Sequence, residues 1–187
     1  MLVALFGVTG VGKSFYKNAI CNRLNFNKLT TIRTREPREG EINGVTGLFM
    51  TPAELDELDN KGEIFYRFGV FDGQYAYLRN EVESPENKVF EMHYTQLDDW
   101  KRLCNDLISI YILPKSLDDA KERIYERHLS KDKEEVRLKE IEEQYNAVVK
   151  NENMMNKFDY VFTNNYDQDS EDRMIELIQT IMNSENN

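Results

Sequence analysis

The chain opens with an unbroken apolar run, Leu2-Val3-Ala4-Leu5-Phe6, which Gly7 closes. A run of that length ended by glycine predicts a strand buried on both faces. Residues 7–14 then form a glycine-rich loop. Phe15 to Leu24 follows with helical spacing that sets Phe15, Ala19 and Ile20 on one side. Strand, glycine loop and helix is how an α/β domain begins. Between Arg33 and Glu86 the pattern changes. Thr51 caps a short helix with Pro52 at its first position and Glu54 completing a capping box, and Gly62 ends it. Ile64 to Phe71 and Gln74 to Tyr77 read as two strands that turn at Asp72-Gly73. The stretch predicts a small strand-rich insertion.

Beyond it, Val89 to Met92 is a short strand. Thr95 is placed to cap a helix that carries Leu97, Trp100, Leu103 and Cys104 inward. Leu107 to Leu113 is a strand stopped by Pro114, and Ser116 with Asp119 opens a helix reaching about Arg127. The charged segment His128 to Lys133 reads as a mobile connection to a long helix, Glu134 to Lys150, with Ile141, Tyr145 and Val148 on one stripe. Tyr160-Val161-Phe162 is a last strand, and Ser170 caps a terminal helix with Met174, Leu177, Ile178 and Ile181 inward. Strands alternating with helices predict an α/β fold whose central parallel sheet is flanked by helices on both faces.

Composition narrows the partners. The 187 residues fit one domain with a small insertion, and 40% hydrophobic content supports a core rather than disorder. Lys plus Arg is 24 against 34 Asp plus Glu, a net charge of −10, so a broad nucleic-acid binder is excluded. Any anion site must be a local positive island. Cys21 and Cys104 lack metal or disulfide-framework spacing and read as small core residues. No apolar run reaches membrane length, and the N-terminus lacks a basic region and cleavage site. The expectation is a soluble, cytoplasmic protein with no membrane partner.

Gly7-Val8-Thr9-Gly10-Val11-Gly12-Lys13-Ser14 matches G-x-x-x-x-G-K-S. Glycines let backbone amides turn inward around phosphate oxygens, and the following helix adds its positive N-terminus. Lys13 is the point charge for the outer phosphates, and Ser14 is the hydroxyl for a bridging magnesium ion. A structural glycine turn does not account for the Lys-Ser pair. Arg33, Arg35 and Arg38 form a second cationic island, stiffened by Pro37. Guanidinium forks suit phosphate oxygens. A second phosphate grip in a chain that already has a phosphate loop implies transfer rather than hydrolysis.

These residues carry a resemblance. Thr34-Arg35-Glu36-Pro37-Arg38-Glu39-Gly40-Glu41-Ile42-Asn43-Gly44 resembles the guanylate kinase motif T-R-x-P-R-x-G-E-x-x-G. Gly7 to Ser14 is similar to that family's phosphate loop. Ile112-Leu113-Pro114-Lys115-Ser116-Leu117 is similar to its I-L-P-P-S-L segment, and Tyr160 to Asn165 to its late V-x-V-N-D segment. The four motifs stand in the family's order. The resemblance implies a P-loop kinase fold: a core of residues 1–32, 88–126 and 151–187, a nucleoside-monophosphate (NMP)-binding subdomain at 33–87, and a helical lid at 127–150. It implies ATP as donor, magnesium as cofactor, and a nucleoside monophosphate, GMP or dGMP first, as acceptor.

Site roles follow by position. Gly7, Thr9, Gly10, Val11, Gly12, Lys13, Ser14 and Phe15 would surround ATP, with Asn164 near the adenine and Ser14 on magnesium. Thr31, Arg35 and Arg38 would meet the acceptor phosphate, with Tyr66, Tyr75, Tyr77 and Glu91 also on the acceptor side. Lys13, Arg38, Arg127 and Arg137 would stabilise the transferring charge; Lys139 also fits the second lid position. Plain structural readings stand beside these: Arg127 as a helix-surface charge, Asn164 as a turn residue, the tyrosines as hairpin packing, His93 as a solvated or structural histidine.

The departures from the family fall on base recognition. Gly47 stands where the family has a tyrosine, and Tyr66 or Arg67 where it has a base-reading glutamate. In the run Tyr75-Ala76-Tyr77-Leu78, Leu78 replaces a small hydroxyl, and Glu91-Met92-His93 replaces paired aspartates. Phosphate chemistry is intact while base choice is altered. The alternatives are a related kinase with another phosphorylated acceptor, and an interaction module without catalysis.

Overall fold

The computed structural model describes residues 1–38, 40–70 and 73–185. It divides into two compact units, Met1–Asn27 with Asn87–Asn187, and Lys28–Glu86. In chain order the elements are β1 (Leu2–Phe6), α1 (Lys13–Leu24), β2 (Asn27–Lys28), β3 (Ile32–Arg33), β4 (Leu48–Phe49), α2 (Pro52–Asn60), β5 (Ile64–Val70), β6 (Gly73–Leu78) and α3 (Arg79–Val82). There follow β7 (Lys88–Glu91), a 3₁₀ turn (Tyr94–Gln96), α4 (Leu97–Leu103), β8 (Leu107–Pro114), α5 (Leu117–Tyr125), α6 (Lys131–Val148), α7 (Glu152–Met155), β9 (Tyr160–Asn164) and α8 (Ser170–Glu185).

The first unit is built on a five-stranded sheet in the order β2-β7-β1-β8-β9. β1 pairs in parallel with β7 on one side and β8 on the other, and β8 pairs in parallel with β9. All five residues of β1 are buried, as the apolar run predicts. Alternate side chains serve two packing layers. Val3, Leu5, Val89, Ile110 and Ile112 pack with Tyr16, Ile20, Ile124, Ile141 and Ile178. On aromatic contacts, Phe6 and Tyr111 meet Phe158 with ring centres 5.1 and 4.9 Å apart, and Phe90 meets Trp100 at 4.9 Å. The sequence order reverses about β1, so the carboxyl ends of these strands form the crevice where doubly wound sheets bind ligands.

Several local signals behave as read. Thr51 accepts from the Glu54 amide while Glu54 accepts from the Thr51 amide, and Gly62 follows the helix at φ +73. Ser116 accepts from the Asp119 amide at 3.1 Å to open α5. Four expectations are corrected. In α1 the inward residues are Tyr16, Ala19 and Ile20, whereas Phe15 is exposed. The helix starts at Lys13, and i, i+3, i+4 from Tyr16 is the stripe that meets the sheet. Thr95 caps nothing: it lies inside the 3₁₀ turn with its hydroxyl 2.8 Å from His93 Nδ1. Leu103, near the end of α4, is exposed while Leu97 and Trp100 are buried. The segment read as mobile is partly helical, because α6 starts at Lys131; Asp132 and Glu134 in its first turn favour the helix dipole.

The second unit holds a four-stranded sheet in the order β4-β3-β6-β5, with β5 and β6 antiparallel. Its small core is Ile32, Leu55, Ile64 and Ala76, against which Leu48, Leu58 and Leu78 pack. The hairpin closes with Val70 opposite Gly73. The predicted turn residue Asp72, with Phe71, lies outside the described residues, as does Glu39 of the arginine motif.

The central sheet of the first unit carries an uncompensated buried hydroxyl on β8. The Tyr111 hydroxyl is buried without a hydrogen-bond partner among the described residues, and burial pushes its pKa upward. A buried unpaired hydroxyl costs about 1–3 kcal/mol. Tyr111→Phe is therefore expected to raise the thermal unfolding midpoint, by about 2 °C or more; a fall on differential scanning calorimetry would contradict it.

Candidate active site

The loop after β1 is held from below. A Cβ at Gly7, at φ +143, would lie 2.6 Å from the Ile112 carbonyl oxygen, and one at Gly10, at φ +86, 2.8 Å from the Ala120 carbonyl oxygen. Side chains at these places would push the loop off β8 and α5. Asn164 at the end of β9 is 5% exposed. Its amide donates to the Val11 carbonyl at 3.0 Å, and its oxygen accepts from the Tyr166 amide at 2.8 Å. Both polar ends of Asn164 are thus engaged in holding the loop, a part closer to the turn-residue reading than to an adenine contact.

Over the loop lies a cleft of about 580 Å³. Thr9, Gly10, Gly12, Lys13, Ser14 and Phe15 line its floor, and Glu91, Arg127 and Arg137 line its walls. Gly7 and Val11 are part of the loop but do not line the cleft. Lys139 does not reach it: its side chain is 78% exposed and pairs with Glu143. Arg127 stands in the turn after α5, so it is no plain helix-surface charge.

The charges are pre-arranged. Lys13 Nζ donates to the Gly7 and Val8 carbonyls at 2.8 and 3.0 Å. Burial lowers its pKa to about 8, with the Arg127 and Arg137 charges adding to the shift and Glu91 and Glu140 opposing it. Glu91, at the end of β7, accepts from Ser14 Oγ at 2.9 Å and Lys17 Nζ at 2.6 Å. Burial alone would raise the Glu91 carboxyl, but the charge and hydrogen bond of Lys17 and the Ser14 contact outweigh it and leave it below its ordinary value. His93 is lowered by burial and then by the Lys13 charge. Its ring is engaged with Thr95 and lies tilted against that of Tyr94.

Sequence reasoning passed over several residues here. Arg123 and Glu126 line the cleft. Arg123 lies one helical turn before Arg127, the spacing that reveals it. Lys17 lies one turn after Ser14. From α6, Gln144 accepts from the Thr9 amide at 3.0 Å, and Glu140 accepts from Arg137 at 2.6 Å. Residues 137, 140 and 144 share one helix face.

In the second unit, Arg35 is the centre of the arginine motif. Its Nη1 and Nη2 grip the two Glu41 oxygens at 2.6 and 2.8 Å, and its Nε donates to the Tyr75 hydroxyl at 2.9 Å. The Arg35 hydrogen bonds hold the Glu41 carboxyl down to about 2. The Arg38 amide also donates to Glu41. The Thr31 carbonyl accepts from the Leu48 amide. Tyr66 lies opposite Tyr77, and both rings stack on Phe68, as does Tyr75. Arg67 is tied to Asp56, Asp59 and Gln74, which leaves Tyr66 as the residue on the aromatic face. Leu78 lies opposite Ile64 and packs into the small core, so the residue standing on the aromatic face at that end of β6 is Tyr77.

Comparison with known proteins identifies the family. A family model described as guanylate kinase matches residues 1–185. The chain belongs to the guanylate kinase family. Among family members, the guanylate kinase of Wolbachia pipientis wMel is 28% identical over 193 residues, covering 99% of this chain and 90% of that one. That of Clostridioides difficile strain 630 is 27% identical, covering 88% and 80%. Among solved structures, guanylate kinase from Anaplasma phagocytophilum aligns with TM-score 0.68 at 20% identity, covering 99% and 85%. Shikimate kinase from Acinetobacter baumannii, in complex with shikimate, aligns at 0.52 and 15% identity, covering 98% and 93%. At these identities the two structures support the fold alone, a P-loop kinase fold. Among the described residues no helix is long and apolar enough to cross a membrane.

Lys13 supplies a pH test. Its folded pKa lies below its ordinary 10.5, so in the ligand-free protein the ammonium loses its proton as pH rises through about 8. An oxyanion beside it favours the charged form. Affinity for inorganic tripolyphosphate is therefore expected to be level below about pH 7 and to fall above about pH 8, by up to about tenfold per pH unit. Calorimetry in two buffers of different ionisation enthalpy should show proton uptake on binding above that range, absent in Lys13→Met. Constant affinity across the range would remove Lys13 as the phosphate cation.

Proposed function

We propose that this protein is an ATP-dependent nucleoside monophosphate kinase that transfers the ATP γ-phosphoryl group to GMP or dGMP. The observation that carries the reading is the intact phosphate loop, with Lys13 and Ser14 at the start of α1, beneath a cleft walled by Arg127 and Arg137. The Arg35–Glu41–Arg38 cluster and the family's membership support the acceptor side.

The chemistry asks the protein for positioning and charge neutralisation rather than covalent catalysis. Loop amides and Lys13 hold the donor's outer phosphates. Thr9, Gly10, Gly12 and Phe15 shape the donor site, and Asn164 serves it by fixing Val11. Arg127 and Arg137 stabilise the charge on the group in transfer, and Arg38 does so from the acceptor side. Arg35 and Thr31 hold the acceptor phosphate; Tyr66, Tyr75 and Tyr77 meet its base; Glu91 orders the space between Ser14 and the reacting oxygens. Arg137 pairs with Glu140 and Thr9 with Gln144 in the ligand-free protein. A phosphate ligand competes with those partners.

Among the described residues there is no cluster of three or more His, Cys, Asp or Glu that could cage a metal. Ser14 Oγ and the Glu91 carboxylate, 2.9 Å apart, are hard oxygen donors of the kind magnesium accepts beside substrate phosphates. Ser14 and Glu91 would hold a magnesium ion there, and it would supply neutralisation of phosphate charge. Localisation in the cytoplasm fits the acidic, α/β character of the chain.

Release of ADP is measured with magnesium and ATP across a panel of nucleoside monophosphates. Turnover with GMP or dGMP is expected, with a loss of about 100-fold or more in Lys13→Ala. Turnover with a different nucleotide alone would change the acceptor assignment. Equal activity in Lys13→Ala, or none with any nucleotide, would overturn the kinase reading.

A further inference from the structure

The arginine cluster at residues 33–38 of the second unit carries one guanidinium, that of Arg33, which the roles above do not use. Arg33 leaves β3 with its side chain folded over Gly47. Its Nη1 donates to the Thr46 carbonyl at 2.9 Å and stands 3.9 Å from Glu41 Oε1. The Arg33 guanidinium carbon lies 5.5 Å from the centre of the Phe49 ring, and that of Arg35 lies 5.7 Å from the same centre. Two cations therefore share one aromatic ring and one carboxylate, which leaves the cluster one positive charge in excess.

The two forks are used differently. Arg35 donates to both Glu41 oxygens, to the Glu36 carbonyl and to Tyr75. Arg33 donates from Nη1 alone, and its Nη2 and Nε have no protein acceptor among the described residues. Its side chain is only 18% exposed. A guanidinium that is largely covered, held in place by a carbonyl and a ring, with most of its fork unpaired, is prepared for an oxyanion.

Gly47 makes the room. A Cβ there would run into Arg33 Nη1 and would lie 2.8 Å from the Thr31 carbonyl oxygen. Any side chain at 47 displaces the guanidinium. The family's tyrosine is missing at the one position where this chain's Arg33 would collide with it.

We infer that Arg33 is a third arginine for the acceptor's phosphate group and that Arg33 and Gly47 act as one pair. The identity of the ligand rests on the nucleotide-kinase reading; the oxyanion chemistry of the cluster does not.

Inorganic phosphate and GMP are titrated calorimetrically into the full chain and into R33Q, R33K, G47A and R33Q/G47A, alongside GMP and ATP saturation kinetics. R33Q is expected to weaken phosphate and GMP binding by about tenfold or more. The ATP KM should stay within about twofold, since a loss confined to acceptor binding leaves donor binding alone. R33K, which keeps the charge without the fork, should recover part of the loss. G47A should match R33Q, and the double variant should be no worse than R33Q. If R33Q folds poorly, R33K and G47A carry the same comparison. Unchanged phosphate and GMP affinity in the single variants overturns the inference. So does a double variant whose losses multiply, or a parent protein that binds neither probe. The kinase reading fails separately, in a parent that binds phosphate through Arg33 yet turns over no nucleoside monophosphate.

Discussion

Backbone pressed against backbone is the constraint on which the first unit depends. Gly7 lies against the Ile112 carbonyl and Gly10 against the Ala120 carbonyl, so the loop between β1 and α1 cannot rise or slide. The start of α1, the direction of Lys13 and the reach of Ser14 to Glu91 follow from that contact. Asn164 closes the arrangement from β9 by holding Val11. Three strand ends, from β1, β8 and β9, thereby meet at one loop. The parallel order β7-β1-β8-β9 is what brings them to the same edge.

A second regularity concerns charge. In a chain of net charge −10, several cations of both units are held by carboxylates: Lys17 by Glu91, Arg137 by Glu140, Arg123 by Glu126, Arg35 by Glu41. Each pairing fixes a rotamer that would otherwise be ordered only on binding. An incoming phosphate exchanges one anion for another instead of desolvating a lone cation. Lys13 has no carboxylate of this kind. It has only backbone carbonyls, and burial lowers its pKa, so a phosphate at this position restores the partner that the ammonium lacks.

Much of this was legible in the chain. The buried strand, the glycine loop, the capping box of α2 and the cap of α5 are short-range signals, set by sterics within a few residues. The misreadings are of another kind. Phe15 and Tyr16 are both large and apolar, and only the angle at which α1 meets the sheet decides that Tyr16 goes inward. Thr95 has good capping chemistry, yet the adjacent His93 ring takes its hydroxyl. Glu140 and Gln144 carry no motif, and their contacts with Arg137 and Thr9 depend on where packing places α6. Tyr77 and Leu78 are consecutive, which in a strand puts them on opposite faces.

That last alternation bears on the hairpin's chemistry. Tyr66 and Tyr77 are direct cross-strand partners, and Phe68 faces Tyr75 in the same way. Four rings therefore lie on one face with interplanar angles of 23–27° between neighbours. A carboxylate at position 66 would stand beside the nearly inaccessible Tyr77 ring, with Arg67 already committed to Asp56 and Asp59 and Arg35 to Glu41. Desolvating it there without a cation would be costly. Tyrosine at 66 removes that cost and completes the aromatic ladder. With tyrosine at 66, packing of the hairpin stands where a carboxylate would have to be desolvated. Ring faces and phenolic hydroxyls discriminate among bases less sharply than a buried carboxylate does, because a mismatched base leaves no charge unpaired. On the function proposed above, sharp recognition in this unit falls on phosphate rather than on the base; the forks of Arg33 and Arg35 are set by Glu41 and Phe49 before any ligand arrives, and the Arg38 amide donates to the same carboxylate.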